Sequence, residues 1–189
     1  MIKLFEAAKQ LQAFCDAQGW HSCFIGGLAV QRWGEPRATL DVDLTVLAGF
    51  GGEGRFIDAL LAAYPARIKD AREFAIRHRV LLLRTPDGVG IDVSLGALPF
   101  EERVVSRASL FSFGPGLDIR TCSAEDLFVL KLFASRPLDI RDAEGVAVRQ
   151  GQLDWQYIED QLRPLAEIKG DPAILATLAR LTTLSTSLE

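Results

Sequence analysis

Asp41 and Asp43 stand two residues apart in a run whose side chains alternate in character, Asp41, Asp43 and Thr45 against Val42, Leu44 and Val46. Alternation of period two is the signature of a half-buried strand, so both carboxylates project from one face, a few ångströms apart. Two such anions repel unless a proton or a cation bridges them. A hard dication solves the problem, because magnesium takes carboxylate oxygens and keeps positions for water and substrate phosphates. Asp92, in Val89 to Leu95, adds a third carboxylate on the polar side of a second alternating run. If that strand pairs beside the first, the site has the three carboxylates of a two-metal centre, which stabilises the attacking and leaving oxygens of an in-line displacement. Asp41 and Asp43 are expected to bridge both ions, and Asp92 to hold the one nearest the attacking hydroxyl. Upstream, Gly26-Gly27 precedes a short apolar helix, and a glycine turn at a helix start lets backbone N–H groups approach an anion. Arg37 is placed to offset charge on a transferring phosphoryl group.

The elements that must carry these residues follow from periodicity. Leu4, Phe5, Ala8, Leu11, Phe14 and Cys15 recur at helical spacing over Ile2 to Gln18, stopped by Gly19. Ser22 to Ile25 reads as a short buried strand, Leu28 to Trp33 as a brief helix, and Leu40 to Leu47 as the acidic strand. A glycine-rich loop, Gly49 to Gly54, leads into a helix over Arg55 to Ala63, followed by a basic, less regular connector. Arg79 to Thr85 and Val89 to Leu95 read as an antiparallel pair around Pro86-Asp87-Gly88. A short helix over Phe100 to Ser106 and a hairpin turning at Gly114-Pro115-Gly116 complete the first part. Ser123 and Asp126 form a capping box that opens a helix through Ala134. Further helices are expected at Leu138 to Arg149, at Trp155 to Ile168, and after Asp171 with Pro172 at the first position.

Strands first and helices last indicate an α+β fold, a small mixed β-sheet flanked by helices with C-terminal helices after it. The expected division is a catalytic core over 1–122 and a helical region over 123–189 packed on it. Of the 189 residues, 49% are apolar and 24% charged, which excludes disordered and fibrous classes. A net charge of -4 argues against wrapping a long nucleic acid. Arg67, Lys69, Arg72, Arg77, His78, Arg79 and Arg84 nonetheless cluster, as a solvated face or as a patch for triphosphate or RNA. Cys15, Cys23 and Cys122 have no CxxC spacing and read as reduced core residues. With no signal pattern and no apolar run near membrane-spanning length, a cytoplasmic protein without membrane association is expected.

The segment FIGGLAVQRWGEPRATLDVDLTV resembles the signature of the polymerase-beta-like nucleotidyltransferases, in their bacterial AbiEii-type branch: a Gly-Gly turn, a short helix, an Arg-x-Thr step and an Asp-x-Asp strand. Here these are Gly26, Gly27, Arg37, Thr39, Asp41 and Asp43. EDLFVLKLFASRPLDIRD is similar to the branch's helical motif, which implies that Lys131 contacts the triphosphate and that Asp139 or Asp142 supports the site. The wider superfamily often has Gly-Ser at the turn, whereas Leu28 follows Gly27 here, so a serine hydroxyl is missing. The resemblance implies transfer of a nucleoside monophosphate from an NTP to a hydroxyl of RNA or tRNA, a protein or a small molecule, with pyrophosphate released. It implies Mg2+, in two ions, with Mn2+ as a substitute, and a toxin role with a cognate antitoxin as partner.

Two rivals compete with that reading. One is a catalytically silent binding or antitoxin-like module on the same fold, against which the intact acids argue, since charges without a metal are costly to bury. The other is a dinucleotide-binding protein, because Gly49, Gly51 and Gly54 spell G-x-G-x-x-G after a strand. It leaves Asp41 and Asp43 on that strand unexplained. His21 and His78 lack partners at metal-ligand spacing, and Trp33, Trp155 and Tyr157 read as packing residues.

Overall fold

The computed structural model describes residues 2–186. Its contacts divide into two compact units: the chain up to Leu28 with Ala38–Cys122, and Ala29–Arg37 with the chain from Ser123 onward.

The first unit is built on a mixed sheet. Its strands are β1 (Ser22–Phe24), β2 (Asp41–Leu47), β3 (Val80–Arg84), β4 (Gly90–Gly96), β5 (Ser109–Ser112) and β6 (Asp118–Thr121), ordered β3-β4-β2-β1-β6-β5. β2 runs parallel to β4 and antiparallel to β1, while β3–β4 and β5–β6 are antiparallel hairpins. The expected hairpin between the two runs around Asp87 is therefore present. Among the described residues, no repeated βαβ unit follows the glycine loop, so the sheet does not support a dinucleotide fold.

The alternation sorts the two faces of the sheet. Val42, Leu44, Val46, Leu81, Leu83, Ile91, Val93 and Leu95 are all buried in one core cluster, together with Leu4, Leu11, Phe56, Ile57 and Leu60. Those partners come from α1 (Ile2–Ala17) and α3 (Glu53–Ala63). Each such side chain stabilises the fold by roughly 1.5–3 kcal/mol on burial. The basic connector contains a helix that periodicity did not disclose, α4 (Ala71–His78), whose buried residues are only Ala71 and Ala75. The opposite face is lined by Asp41, Asp43 and Thr45 on β2. At its far end it is met by α5 (Pro99–Ser106), where the Cys23 thiol lies 3.8 Å from the Val104 carbonyl.

The second unit is helical. α6 (Ala124–Ala134), α7 (Pro137–Gln150), α8 (Trp155–Lys169) and α9 (Ala173–Thr186) pack together. Ser123 caps α6 as its sequence requires: its hydroxyl accepts the Asp126 N–H at 3.1 Å. The Asp126 carboxylate in turn accepts the Tyr157 hydroxyl at 2.6 Å. Trp155 meets Phe128 edge to face at 5.4 Å, a packing role like the one expected for it. Ala29–Arg37 joins this unit: Arg149 donates to the Gly34 carbonyl at 2.5 Å, and a side chain at Gly145 would meet Glu35 at 3.2 Å. Helix α2 (Gly26–Trp33) accordingly starts in the sheet unit and ends in the helical one.

Candidate active site

In the sheet unit, parallel pairing of β2 with β4 places Asp43 opposite Asp92 and Asp41 opposite Gly90. Directly paired residues point to the same face, so Asp41, Asp43 and Asp92 share one face of the sheet. Phe24 on β1 stands opposite Leu44, bringing the start of α2 beside the acids.

Three glycines make this arrangement sterically feasible. A Cβ at Gly90 would lie 1.9 Å from Asp41 Oδ1, and one at Gly26 would lie 2.1 Å from Asp43 Oδ2. A Cβ at Gly27 would lie 2.3 Å from Thr39 Oγ1. Real Cβ atoms do not approach so closely, so each missing side chain provides the space that a polar side chain of the site fills. Gly26 also has φ +58, a left-handed conformation that glycine adopts without penalty. The Gly27 N–H points to Asp43 Oδ2 at 3.3 Å, so an amide at the start of α2 is turned to a carboxylate of its own chain. The Thr39 hydroxyl donates to the Asp41 carbonyl at 3.3 Å.

Arg67, one of the basic stretch, lies over this face. One guanidinium nitrogen is bonded to Asp92 Oδ1 and the other is 3.5 Å from Asp41 Oδ1. Its backbone is anchored at the sheet edge: the Arg67 N–H donates to the Leu82 carbonyl at 3.0 Å, and Arg84 N–H donates to the Pro65 carbonyl at 2.9 Å. Leu82 pairs with Asp92, so Arg67, Leu82 and Asp92 are aligned across the sheet. Burial raises the Asp92 carboxyl above the usual carboxylate range. Arg67 opposes that rise and the neighbouring Asp41 charge adds to it. Other members of the basic stretch are also paired with acids: Arg72 with Asp58, and Arg79 with Glu53 and the Gly49 and Leu95 carbonyls.

The carboxylate set suits a hard divalent cation in its chemistry, and the glycine clearances leave two of the carboxylates room to lie on the face. Among the described residues, no three acid, His or Cys side chains are gathered closely enough to hold a metal. Arg67, in contact with two of the three acids, supplies the positive charge instead.

The remaining residues singled out in the sequence form a second cluster, within the helical unit. Arg37 grips Asp142 with two bonds, Nε to Oδ1 at 2.7 Å and a terminal nitrogen to Oδ2 at 2.8 Å. Lys131 Nζ lies 2.7 Å from Asp142 and 3.0 Å from Asp139, and Asp139 also accepts from Arg136 at 2.5 Å. Lys131, Asp139 and Asp142 are all buried. Burial alone would raise both carboxyls, yet the hydrogen bonds from Arg136 and Lys131 to Asp139, and from Arg37 and Lys131 to Asp142, outweigh it. Both are held below the usual range.

Two residues of the acidic face escaped sequence reasoning. Arg67 was indistinguishable from its basic neighbours. Gly90 carried a usable signal, because a glycine two residues before Asp92 in a strand marks close approach of another group.

Residues 11–144 match the family described as nucleotidyl transferase AbiEii toxin, type IV TA system. The chain belongs to this family. Among solved structures, the antibiotic-resistance factor ANT(2'')-Ia is similar with a TM-score of 0.57 at 14% identity, covering 89% of this chain and 94% of that one. An antigenic nucleotidyltransferase-like protein from Paracoccidioides brasiliensis is similar with a TM-score of 0.51 at 17% identity, covering 93% of this chain and 92% of that one. At these identities the likeness is one of fold: an α+β nucleotidyltransferase fold with C-terminal helices. No curated protein sequence gives a match. Among the described residues, no helix is long and apolar enough to cross a membrane.

Proposed function

We propose that the chain transfers a nucleoside monophosphate from an NTP to a hydroxyl acceptor, with release of pyrophosphate, as the toxin component of a toxin-antitoxin pair. The observation that carries this reading is the registered acid face: Asp43 opposite Asp92 across parallel strands, with Asp41 beside them over Gly90. Asp41, Asp43 and Asp92 are the residues that would hold divalent ions, Mg2+ with Mn2+ as a substitute. Bound there, such ions screen the triphosphate and stabilise charge on the oxygens that exchange at phosphorus.

The chain's own groups do the rest. Asp92, opposite Asp43 on the acid face, is placed to accept the proton of the attacking hydroxyl. Thr39 fills the space over Gly27 and fixes the backbone at Asp41. Arg37 and Lys131 take phosphate charge in this reading, supported by the family resemblance. Both bond Asp142, which orients them, and Lys131 is held by Asp139 as well. A hydroxyl on RNA or tRNA, a protein or a small molecule is the acceptor class, and a cognate antitoxin is the expected protein partner.

Incubation with each α-labelled NTP, Mg2+ and either total RNA or cell lysate tests the proposal. Label is expected on one class of acceptor, with pyrophosphate released in equal amount. No labelled product and no released pyrophosphate with any NTP would overturn it.

A further inference from the structure

We infer that Arg67 is a built-in competitor of the divalent cation, holding Asp41 and Asp92 in the ion-free protein and giving them up when the ion enters. The inference rests on the reading of Asp41, Asp43 and Asp92 as the cation's ligands. Three observations carry it. The guanidinium contacts two of the three acids, bonded to Asp92 and 3.5 Å from Asp41. Its backbone is fixed to the sheet edge through Leu82, which is itself opposite Asp92, so the side chain is aimed across β3 at the acid face. The contact is also reversible in character. Arg67, Asp92 and Asp41 side chains retain 27%, 32% and 46% of their exposure, so solvent reaches the group and no buried ion pair has to be broken to release it.

The physical consequence is a negative coupling between two cations that share the same carboxylates. Whatever free energy Arg67 gains from Asp41 and Asp92, the incoming ion must replace, and the coupling is reciprocal. Without Arg67 the acids face one another uncompensated. The ion-free protein is then less stable and the ion binds more tightly. Release of Arg67 leaves a planar donor beside the face that suits an anionic oxygen bidentately, so an NTP strengthens ion binding in the wild type by taking up the displaced guanidinium.

The experiment measures Mn2+ binding, nucleotide absent, from the electron paramagnetic resonance signal of free Mn2+. Arg67→Gln is expected to bind Mn2+ about tenfold more tightly than wild type, and Arg67→Lys, which keeps a cation, close to wild type. Adding Asp43→Ala to Arg67→Gln removes the gain. Equal or weaker binding by Arg67→Gln, with Asp43→Ala still reducing affinity, overturns the competition and leaves the metal reading standing. Binding that is absent, or insensitive to Asp43→Ala, overturns the metal reading and the inference with it. A second measurement needs no variant to fold for its readout. In the 15N-labelled wild type the Arg67 guanidinium resonance should move as Mg2+ saturates the protein, and a stationary resonance at saturation overturns the inference.

Discussion

Gly90 and Asp41 face each other across two parallel strands so closely that a methyl group on the glycine would sit 1.9 Å from the aspartate's Oδ1. The absence of a side chain at one position is thus what permits the acid at the other to lie flat on the sheet.

Gly90→Ala should therefore damage the site more than the fold. Alanine suits a strand better than glycine, and the atom it displaces is the end of a flexible side chain. Nucleotidyl transfer is expected to fall by more than about tenfold while the melting temperature shifts by no more than a few degrees. Unchanged turnover alongside an intact melting curve would show that the placement of Asp41 is not used.

Asp41→Ala and Asp43→Ala are each expected to abolish transfer of labelled nucleotide with circular dichroism unchanged. Both side chains are partly exposed on the sheet surface, and truncating an acid there relieves repulsion between neighbours. Turnover near wild type in either variant contradicts the proposed role.

In the helical unit, Lys131→Met removes the ammonium that Asp139 and Asp142 share. Breaking a buried ion pair from one side typically costs about 3–5 kcal/mol, because the charge left behind has lost its solvent. Arg136 and Arg37 remain on the two acids, so the low end of that range is expected by denaturant titration. Adding Asp139→Asn should restore part of the loss. A fall below about 1 kcal/mol would show that solvent already compensates the cluster.

The same cluster fixes the sign of an acid effect. Asp139 and Asp142 are held below the usual carboxylate range in the folded protein, so the unfolded chain binds their protons more readily. Their contribution is fully present above the ordinary aspartate value, about pH 4, and is lost as pH falls through their lower folded values. Stability measured from pH 6 downward should drop below about pH 4 in the wild type and more gently in Asp142→Asn. Parallel curves would refute the assignment.

Burial pushes the Cys15 thiol up to about 11, and Cys23 and Cys122 are buried too. Iodoacetamide at pH 8 is expected to leave all three unmodified in the native protein and to alkylate all three in guanidinium chloride. The thiolate is the reacting species, and the fold withholds it.

Much of this was open to reading in the chain itself, for reasons that differ by element. The β2 and β4 faces were legible because Val42, Leu44 and Val46 alternate strictly with Asp41, Asp43 and Thr45, and Ile91 and Val93 with Asp92. Pairing of these two strands appeared only as a condition, since alternation fixes a face and not a neighbour. α4 was hidden because its buried residues are two alanines, too small to stand out as an apolar stripe among Arg72, Arg77 and His78. Gly26 and Gly27 were legible as a place of close approach. Which groups approach them, the Asp43 carboxylate and the Thr39 hydroxyl, depends on tertiary register. The hold of Asp142 on Arg37 joins residues 105 positions apart, a separation at which no local pattern speaks.

The assignment of Ala29–Arg37 to the helical unit has a consequence for dissection of the molecule. The polypeptide passes from one unit to the other after Leu28, after Arg37 and after Cys122, so no single cut yields two whole pieces. A fragment beginning at Ser123 would lack the strap that packs Glu35 on Gly145 and ties Arg37 to Asp142. Adding a synthetic peptide of Ala29–Arg37 in trans is the way to make such a fragment whole. By the same logic a recombinant exchange of either unit needs more than one junction in the chain.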